Sequence, residues 1–190
     1  MKIQCLILLG SALLVGACAS SGPHTALNTA ALYPNLHTSG QCRLRFLEGQ
    51  PERGSVVLVT VDLLKTPRRV VGFPGETISV IGGVLHINKK SVQSSGNKKT
   101  RTCQAGVSPR CSCQIHWEKS GSRRYAVQSL PPSGEVGDAR CDRNPDAAPT
   151  LVPEGHVYVL ADNRDGALDS RHIGTIPVTK LGKQVVACLR

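Results

Sequence analysis

The fold of this chain is decided by residues 152–171, which read VPEGHVYVLADNRDGALDSR and are followed by Gly174 and Pro177. Val157 to Leu160 is an apolar run rich in β-branched and aromatic residues, and this composition predicts a strand. The strand ends at a charged segment that contains glycine, which we interpret as a loop.

Strand patterns recur on both sides of this stretch, while helical periodicity is weak past residue 20, so we expect a mostly β fold. A double glycine at 82–83 between two apolar runs predicts a hairpin. The predicted strands are 56–61, 77–80, 84–87, 157–160 and 184–188. Residues 91–149 interrupt the pattern with Ser, Gly, Pro, Lys and four cysteines, and we interpret them as a disulfide-stapled insertion outside the core.

The N-terminus is typical of an export signal. Lys2 precedes an apolar run of 13 residues, Ile3 to Val15, which is shorter than the roughly 20 residues that a helix needs to cross a bilayer. The run ends in small residues before Cys18, which resembles the lipobox of bacterial lipoproteins. We therefore expect a signal peptide at 1–17, a lipid on Cys18 and a tether at 18–28. An ordinary cleaved signal with a chance cysteine is the alternative.

The residue after the cysteine adds an expectation about location. It is Ala19 and not Asp, which in Gram-negative lipoproteins favours the outer membrane. The resemblance thus implies a protein that is exported, anchored through its N-terminal lipid, and held at the outer membrane facing the periplasm.

The chain is basic, with 23 Lys and Arg against 13 Asp and Glu and a formal net charge of +10. This charge favours anionic lipid head groups or acidic partners. Aromatic residues make up only 3% of the chain, so nucleic acid is the less favoured partner. The basic residues cluster between 98 and 124, with Glu118 as the single acid, and we interpret this run as a solvated basic face. They are Lys98, Lys99, Arg101, Arg110, Lys119, Arg123 and Arg124.

Six cysteines remain after the signal and the lipidation site, an even number that favours disulfides in an oxidising compartment. They are Cys42, Cys103, Cys111, Cys113, Cys141 and Cys188. Cys111 and Cys113 are too close in sequence to pair with each other without strain. The favoured pair joins Cys42 to Cys188 and leaves four cysteines within the insertion. Their spacing matches no standard zinc knuckle, and we expect no metal and no cofactor.

Four blocks in order resemble the type I signal peptidases, Ser/Lys endopeptidases that remove signal peptides. The strongest block is 152–171, and the others are 68–76 (RRVVGFPGE), 53–57 (RGSVV) and 31–36 (ALYPNL). The resemblance covers about residues 29–90 and 150–190, and the insertion falls where that family carries its variable second domain. It implies a coiled β-sheet or barrel core.

The catalytic positions of the family are occupied by other residue types. Ala31 stands at the nucleophile position, Arg68 at the position of the lysine base, and Ala167 at the position of the serine that orients the base. Alanine has no nucleophile, and a guanidinium stays protonated. The resemblance therefore implies a pseudoenzyme. Thr29 could still supply a hydroxyl to an oxyanion hole, and an active endopeptidase with a displaced Thr or Ser nucleophile is the alternative.

The scaffold residues of the family are retained. The resemblance implies that Arg69 pairs with Asp162 and that Asp169 pairs with Arg171. It also implies two strand edges, at 25–31 and 63–67, that could bind an extended peptide without any catalytic group. We thus expect a binding or assembly module at the cell envelope. A structural lipoprotein that binds partners through the basic insertion remains a further alternative.

Overall fold

The computed structural model describes residues 30–32, 34–35, 43–47, 50–61, 64–92, 99–104, 107, 110–131, 141 and 146–189. The predictions on the signal peptide, Cys18, the tether, Thr29 and the Cys42–Cys188 pair lie outside the residues described at side-chain level. Within the described ranges, no helix has both the length and the hydropathy to cross a membrane.

Strands dominate the structure, which confirms the expected mostly β fold. They are β1 (Arg43–Leu47), β2 (Val56–Val61), β3 (Leu64–Gly72), β4 (Thr77–Ile81), β5 (Val84–Ile87), β6 (Lys90–Ser91), β7 (Lys99–Thr102), β8 (Ser112–Ser120), β9 (Arg123–Ser129), β10 (Ala147–Leu151), β11 (His156–Leu160), β12 (Ile176–Pro177) and β13 (Leu181–Leu189). A short helix, α1 (Ser170–Ile173), and two 3-10 turns, Ala30–Leu32 and Val178–Lys180, complete the described elements.

The strands form three sheets. Six strands pair in the order β1-β13-β2-β3-β11-β12, four in the order β10-β4-β5-β6, and three in the order β7-β8-β9. The predicted hairpin is β4–β5, in which Ile81 pairs with Val84. Gly82 and Gly83 both have positive φ, 59° and 76°, as the two central residues of a tight hairpin turn require.

The strand of the deciding stretch, β11, is buried on both faces. Val157 and Val159 pack in one apolar cluster with β2 and β3 residues, while Tyr158 and Leu160 pack in a second cluster with β4 and β5 residues. A strand covered on both faces has no need for polar alternation, which explains the continuous apolar run. β11 is therefore the strand where the two larger sheets meet.

The boundaries of the insertion differ from the prediction. Ser91 in β6 pairs with β5, and Ala147 in β10 pairs with Val80 of β4, so both ends of the predicted 91–149 insertion belong to the four-stranded sheet. Residues 147–149 are two alanines and a proline, which carry no strand signal of their own. The carboxylate of Asp146 accepts the N–H groups of both hairpin glycines at 2.7 and 3.0 Å, which brings β10 to the β4–β5 hairpin.

The β8–β9 hairpin of the insertion turns one face towards the core, which corrects the interpretation of the insertion as lying outside it. Alternate residues of this face are buried, and they are His116, Glu118, Ser120, Tyr125, Val127 and Ser129. Glu118, the single acid of the basic run, is fully buried and lies 2.5 Å from Nη2 of Arg164. Burial acts to raise the pKa of Glu118, but the charge of Arg164 and the hydrogen-bonding groups of Arg164 and His116 outweigh it and lower that pKa to about 2.

The four cysteines of the insertion form two disulfides, Cys103–Cys113 and Cys111–Cys141. All four pack with Leu130 in an apolar cluster of their own. As expected, Cys111 and Cys113 take different partners. The first bridge joins the end of β7 to β8, and the second joins the start of β8 to a segment 30 residues further on.

We expect the second disulfide to stabilise the fold more than the first, because it closes the longer loop, 30 residues against 10. Replacing Cys111 and Cys141 by serine should lower the free energy of unfolding by about 3–4 kcal/mol, and replacing Cys103 and Cys113 by about 2–3 kcal/mol. Urea unfolding followed by circular dichroism measures both. A larger loss from the Cys103/Cys113 variant would contradict the chain-entropy argument.

We expect Glu118→Ala to lower the free energy of unfolding by about 3–5 kcal/mol, because it leaves the guanidinium of Arg164 buried without a carboxylate. The acid dependence gives a second measurement. The folded-state pKa of Glu118 is depressed to about 2, so its contribution is present above its ordinary pKa and lost as the pH falls towards 2. The difference in unfolding free energy between wild type and Glu118→Gln should therefore shrink below about pH 4.5.

The matched control is Glu52→Gln. Glu52 makes an exposed pair with Arg123 at 3.0 Å, and such pairs contribute less than about 1 kcal/mol. Equal losses at Glu52 and Glu118 would refute a special role for the buried pair.

Candidate functional site

The turn that carries Ala31 is fixed at the end of β11. The carbonyl of Ala31 accepts the backbone N–H groups of Asp162 at 2.8 Å and Asn163 at 3.1 Å. Leu32 is fully buried in a cluster with Val56, Leu58 and Val185. The nucleophile position is thus held by backbone hydrogen bonds and apolar packing, and its side chain is a methyl group.

Arg68, at the base position, reaches from β3 to the loop that contains Ala167. Its Nε donates to the carbonyl of Leu168 at 2.7 Å, and its Nη1 donates to the carbonyl of Pro67 at 2.8 Å. The side chain is nearly inaccessible, with 4% of its surface exposed. Burial lowers the pKa of Arg68, with Asp169 opposing and Arg171 adding to the shift, but a guanidinium remains charged near neutrality. Arg68 therefore bridges two backbone segments and offers no proton acceptor.

Among the strands that the structure describes, none pairs with one edge of β3 beside this position. β11 pairs with β3 only between Arg69 and Gly72, whereas β2 pairs with the segment of β3 from Leu64 to Arg69. The N–H of Val70 donates to Ser55, so by the alternation of an antiparallel pair the backbone groups of Lys65 and Pro67 point away from β2. Among the described residues no strand pairs with that side of β3 at Lys65. Pro67, which lacks an N–H, is tolerated there for the same reason.

The pair Arg69–Asp162, which the resemblance implies, is formed and buried. Nε and Nη2 of Arg69 donate to the two carboxylate oxygens at 2.7 and 2.6 Å, and Nη1 donates to the carbonyl of Gly54. The guanidinium stacks on the ring of Tyr125, 4.0 Å from its centroid. Burial alone would lower the pKa of Arg69, but Asp162 outweighs it and raises that pKa. We call the loop between β11 and α1, residues 161–169, the charged loop. β3, the charged loop and β9 thus meet at one guanidinium.

The pair Asp169–Arg171, also implied by the resemblance, closes the other end of the loop. Arg171 donates from Nε and Nη2 to the two oxygens of Asp169 at 2.9 Å each. Asp169 also accepts the N–H of Ala161 at 3.0 Å and caps helix α1. Burial acts to raise the pKa of Asp169, but its hydrogen bonds and the charge of Arg171 lower it. Arg171 donates in addition to the carbonyl of Arg164.

Four residues of this region were not predicted as site residues. Besides Glu118 and Arg164, Asn35 and Gln128 connect the charged loop to β9. The side-chain amide of Asn35 donates to Ala126 and to Asp162, both at 2.7 Å, and accepts from Ala126. The backbone of Gln128 pairs with the loop as a parallel bridge to Asn163. The only sequence signal for these residues is Glu118, a single acid within a basic run. This signal does not indicate that Glu118 pairs with Arg164.

The site has no evident ligands for a metal. Among the described residues, no three His, Cys, Asp or Glu side chains are grouped so that they could hold a metal ion. Together, the contacts of Ala31, Arg68, Arg69 and Asp169 hold β3, β11 and the charged loop against one another. The side chains of Ala31, Arg68 and Ala167, which stand where the resemblance implies the catalytic residues, supply neither a hydroxyl nor an amine.

Comparison with known proteins agrees with the blocks found in the sequence. The chain is 30% identical over 139 residues to the signal peptidase I of Rickettsia akari, a match that covers 70% of this chain and 49% of that protein. It is 29% identical over 142 residues to the signal peptidase I of Rickettsia typhi, covering 70% of this chain and 50% of that protein. The chain therefore spans about half the length of the curated relatives it matches.

A solved structure and a family model complete the comparison. The crystal structure of a signal peptidase I from Enterococcus faecalis is similar at 19% identity and a TM-score of 0.42, covering 74% of this chain and 100% of that one. The family model described as signal peptidase, peptidase S26, matches residues 5–189. Because that match spans nearly all of its length, this chain belongs to the signal peptidase family, peptidase S26.

Proposed function

We propose that this chain is a lipoprotein of the signal peptidase family that has lost the peptidase reaction and binds extended peptides at the cell envelope. The observation that carries the proposal is Arg68. Its guanidinium stands at the base position and is hydrogen-bonded to the carbonyls of Leu168 and Pro67. A side chain in that arrangement holds two backbone segments together and cannot take a proton.

The missing chemistry concerns three positions together. A Ser/Lys mechanism needs a hydroxyl to attack the carbonyl and a neutral amine to accept its proton. Ala31 and Ala167 carry only methyl groups, and the guanidinium of Arg68 deprotonates only far above neutral pH. Restoring only one of these side chains would leave the other two catalytic roles without a suitable group. We therefore propose that the whole Ser/Lys mechanism is lost.

Peptide binding needs none of those side chains. An extended peptide adds to a sheet edge through backbone hydrogen bonds, and the outward backbone groups of Lys65 provide such an edge. The Nη1 bond of Arg68 already satisfies the carbonyl of Pro67, so the usable edge is shorter than the whole strand. The proposal therefore favours a short pairing, in which the peptide forms its backbone hydrogen bonds with β3 at Lys65.

The envelope location is part of the same proposal. It is supported by the apolar N-terminal segment that ends at Cys18 and by the relatives, since signal peptidases I suggest a membrane-associated or exported protein. A lipid on Cys18 and an outer-membrane position facing the periplasm complete it. The relatives are twice as long as the matched region, so their activity does not establish the activity of this chain.

We expect the wild-type chain to leave a signal-peptide substrate intact and the variant Ala31→Ser with Arg68→Lys and Ala167→Ser to cleave it. The gain should be about 100-fold or more over the wild-type rate, since a positioned base contributes at least that much. Mass spectrometry of the products measures it. The control is Arg68→Lys with Ala167→Ser, which keeps Ala31 and should stay inactive. Cleavage by the wild type that disappears in Thr29→Ala would instead support an active enzyme.

We expect a peptide of the Ala-x-Ala type to bind the wild-type chain saturably and to bind Lys65→Pro about fivefold more weakly, because proline removes one backbone donor at the edge. Lys65→Gln is the matched control, since it removes the charge and keeps the N–H. Fluorescence anisotropy of a labelled peptide measures both affinities. Absence of saturable binding, or equal binding by the proline and glutamine variants, would reject strand addition at this edge.

A further inference from the structure

The outward face of the β7-β8-β9 sheet is strongly basic. Lys99 pairs across the strands with Ile115, and Lys119 pairs with Arg124, so these side chains share the face opposite to buried Glu118. We call the exposed residues of this side the basic face, and they are Lys99, Arg101, Trp117, Lys119 and Arg124.

No carboxylate neutralises this face from its own sheet. Glu118 is the only acidic residue between 99 and 131, and it is buried on the other side against Arg164. Within the described part of the chain, none of the four cations of the basic face lies within ion-pair distance of a carboxylate. Their charges therefore act together on whatever approaches the sheet.

A single aromatic residue stands among these cations. The side chain of Trp117 is 38% exposed, although it is large and apolar, and the guanidinium of Arg124 stacks 4.5 Å from its ring centroid. A pocket of about 410 Å³ is lined by Trp117 together with Lys99, Arg101 and Pro34. The pocket offers two cations and an aromatic wall to one small anionic group.

We propose that the basic face docks on a membrane that contains anionic phospholipids, with a headgroup phosphate in the pocket beside Trp117. Indole rings prefer the headgroup level of a bilayer, where their apolar body and their N–H are both accommodated. Cations near an anionic bilayer surface are attracted without the need for any particular partner geometry. The basic face has both features, and no carboxylate of the described residues pairs with its cations.

A membrane fits this face better than an acidic protein does. A stable protein interface has an apolar core surrounded by a polar rim. Among the described exposed residues of the basic face, Trp117 is the only large apolar one, and it is surrounded by cations. The proposal requires neither the peptide site nor a lipid on Cys18. With a lipid on Cys18 as well, the chain would have two membrane contacts, the lipid and the basic face. Together they would hold the edge of β3 at Lys65 in a fixed orientation to the bilayer.

Trp117 is the only tryptophan in the chain, so its fluorescence reports on this face alone, even if the N-terminus also binds lipid. The full chain is mixed with vesicles of phosphatidylcholine and phosphatidylglycerol, or of phosphatidylcholine alone. We expect a blue shift of the emission, and quenching by brominated phosphatidylglycerol, only with the anionic vesicles. Both effects should be lost at high salt.

The test variant is Lys99→Gln with Arg101→Gln. The lipid concentration at half-maximal shift should rise about fivefold for each cation removed, or about 25-fold in total. Lys90→Gln with Lys180→Gln removes the same charge from exposed positions elsewhere and should change it less than about twofold. Circular dichroism and thermal unfolding confirm that both variants are folded.

Three results would overturn the proposal. The emission could be unmoved by anionic vesicles, which is also the result expected of a face that binds an acidic protein. It could shift equally with phosphatidylcholine alone, which would indicate unspecific apolar adsorption. The two double variants could lose the shift equally, which would assign the effect to net charge and not to this face.

Discussion

The buried pair between Arg164 and Glu118 is the interaction on which the rest of this structure depends. Removing two charges from water is costly, and the cost is repaid only while both partners stay in contact. The pair therefore fixes the insertion against the charged loop. The same loop is held to β3 by the pair Arg69–Asp162 and to helix α1 by the pair Asp169–Arg171. Together with Arg164–Glu118, three guanidinium–carboxylate pairs therefore have a member between Asp162 and Arg171.

This network is separate from the groups that would carry out catalysis. The methyl of Ala31 and the methyl of Ala167 contribute nothing to it, and the turn of Ala31 is anchored through its carbonyl. Substitutions of these two side chains should thus leave the loop in place. Arg68 even adds to the framework, since it links β3 to Leu168. The fold of the family depends on these ion pairs and backbone contacts, and this chain keeps them.

The sequence predicts the strands that follow ordinary patterns. β2, β4, β5, β11 and β13 carry apolar or β-branched runs, and the double glycine marks the turn between β4 and β5. β10 carries no such signal and could not be predicted. The contacts of Asp146 with the hairpin glycines bring it to β4, and these contacts are visible only in the folded chain. The disulfides of the insertion could be expected as a set, but the choice of partners depends on tertiary packing.

The orientation of β8 could not be predicted, because its pattern is inverted. Trp117 points outward, while His116 and Glu118 point inward, the opposite of what burial of apolar surface favours. The reason is the surface that β8 covers, which presents the guanidinium groups of Arg69 and Arg164 and not an apolar layer. A face that must meet buried cations selects acidic and polar residues, and only the folded arrangement reveals this.

The parallel bridge between Gln128 and Asn163 has a consequence for the limits of the folding unit. The carbonyl of Asp162 accepts from Gln128, the N–H of Arg164 donates to Gln128, and the N–H of Leu130 donates to Asp165. Excising the insertion would remove these hydrogen bonds and the pair of Glu118 with Arg164, and it would expose the loop to water. The cysteine-rich segment therefore covers part of the core, and a chain without it should be less stable than the whole protein.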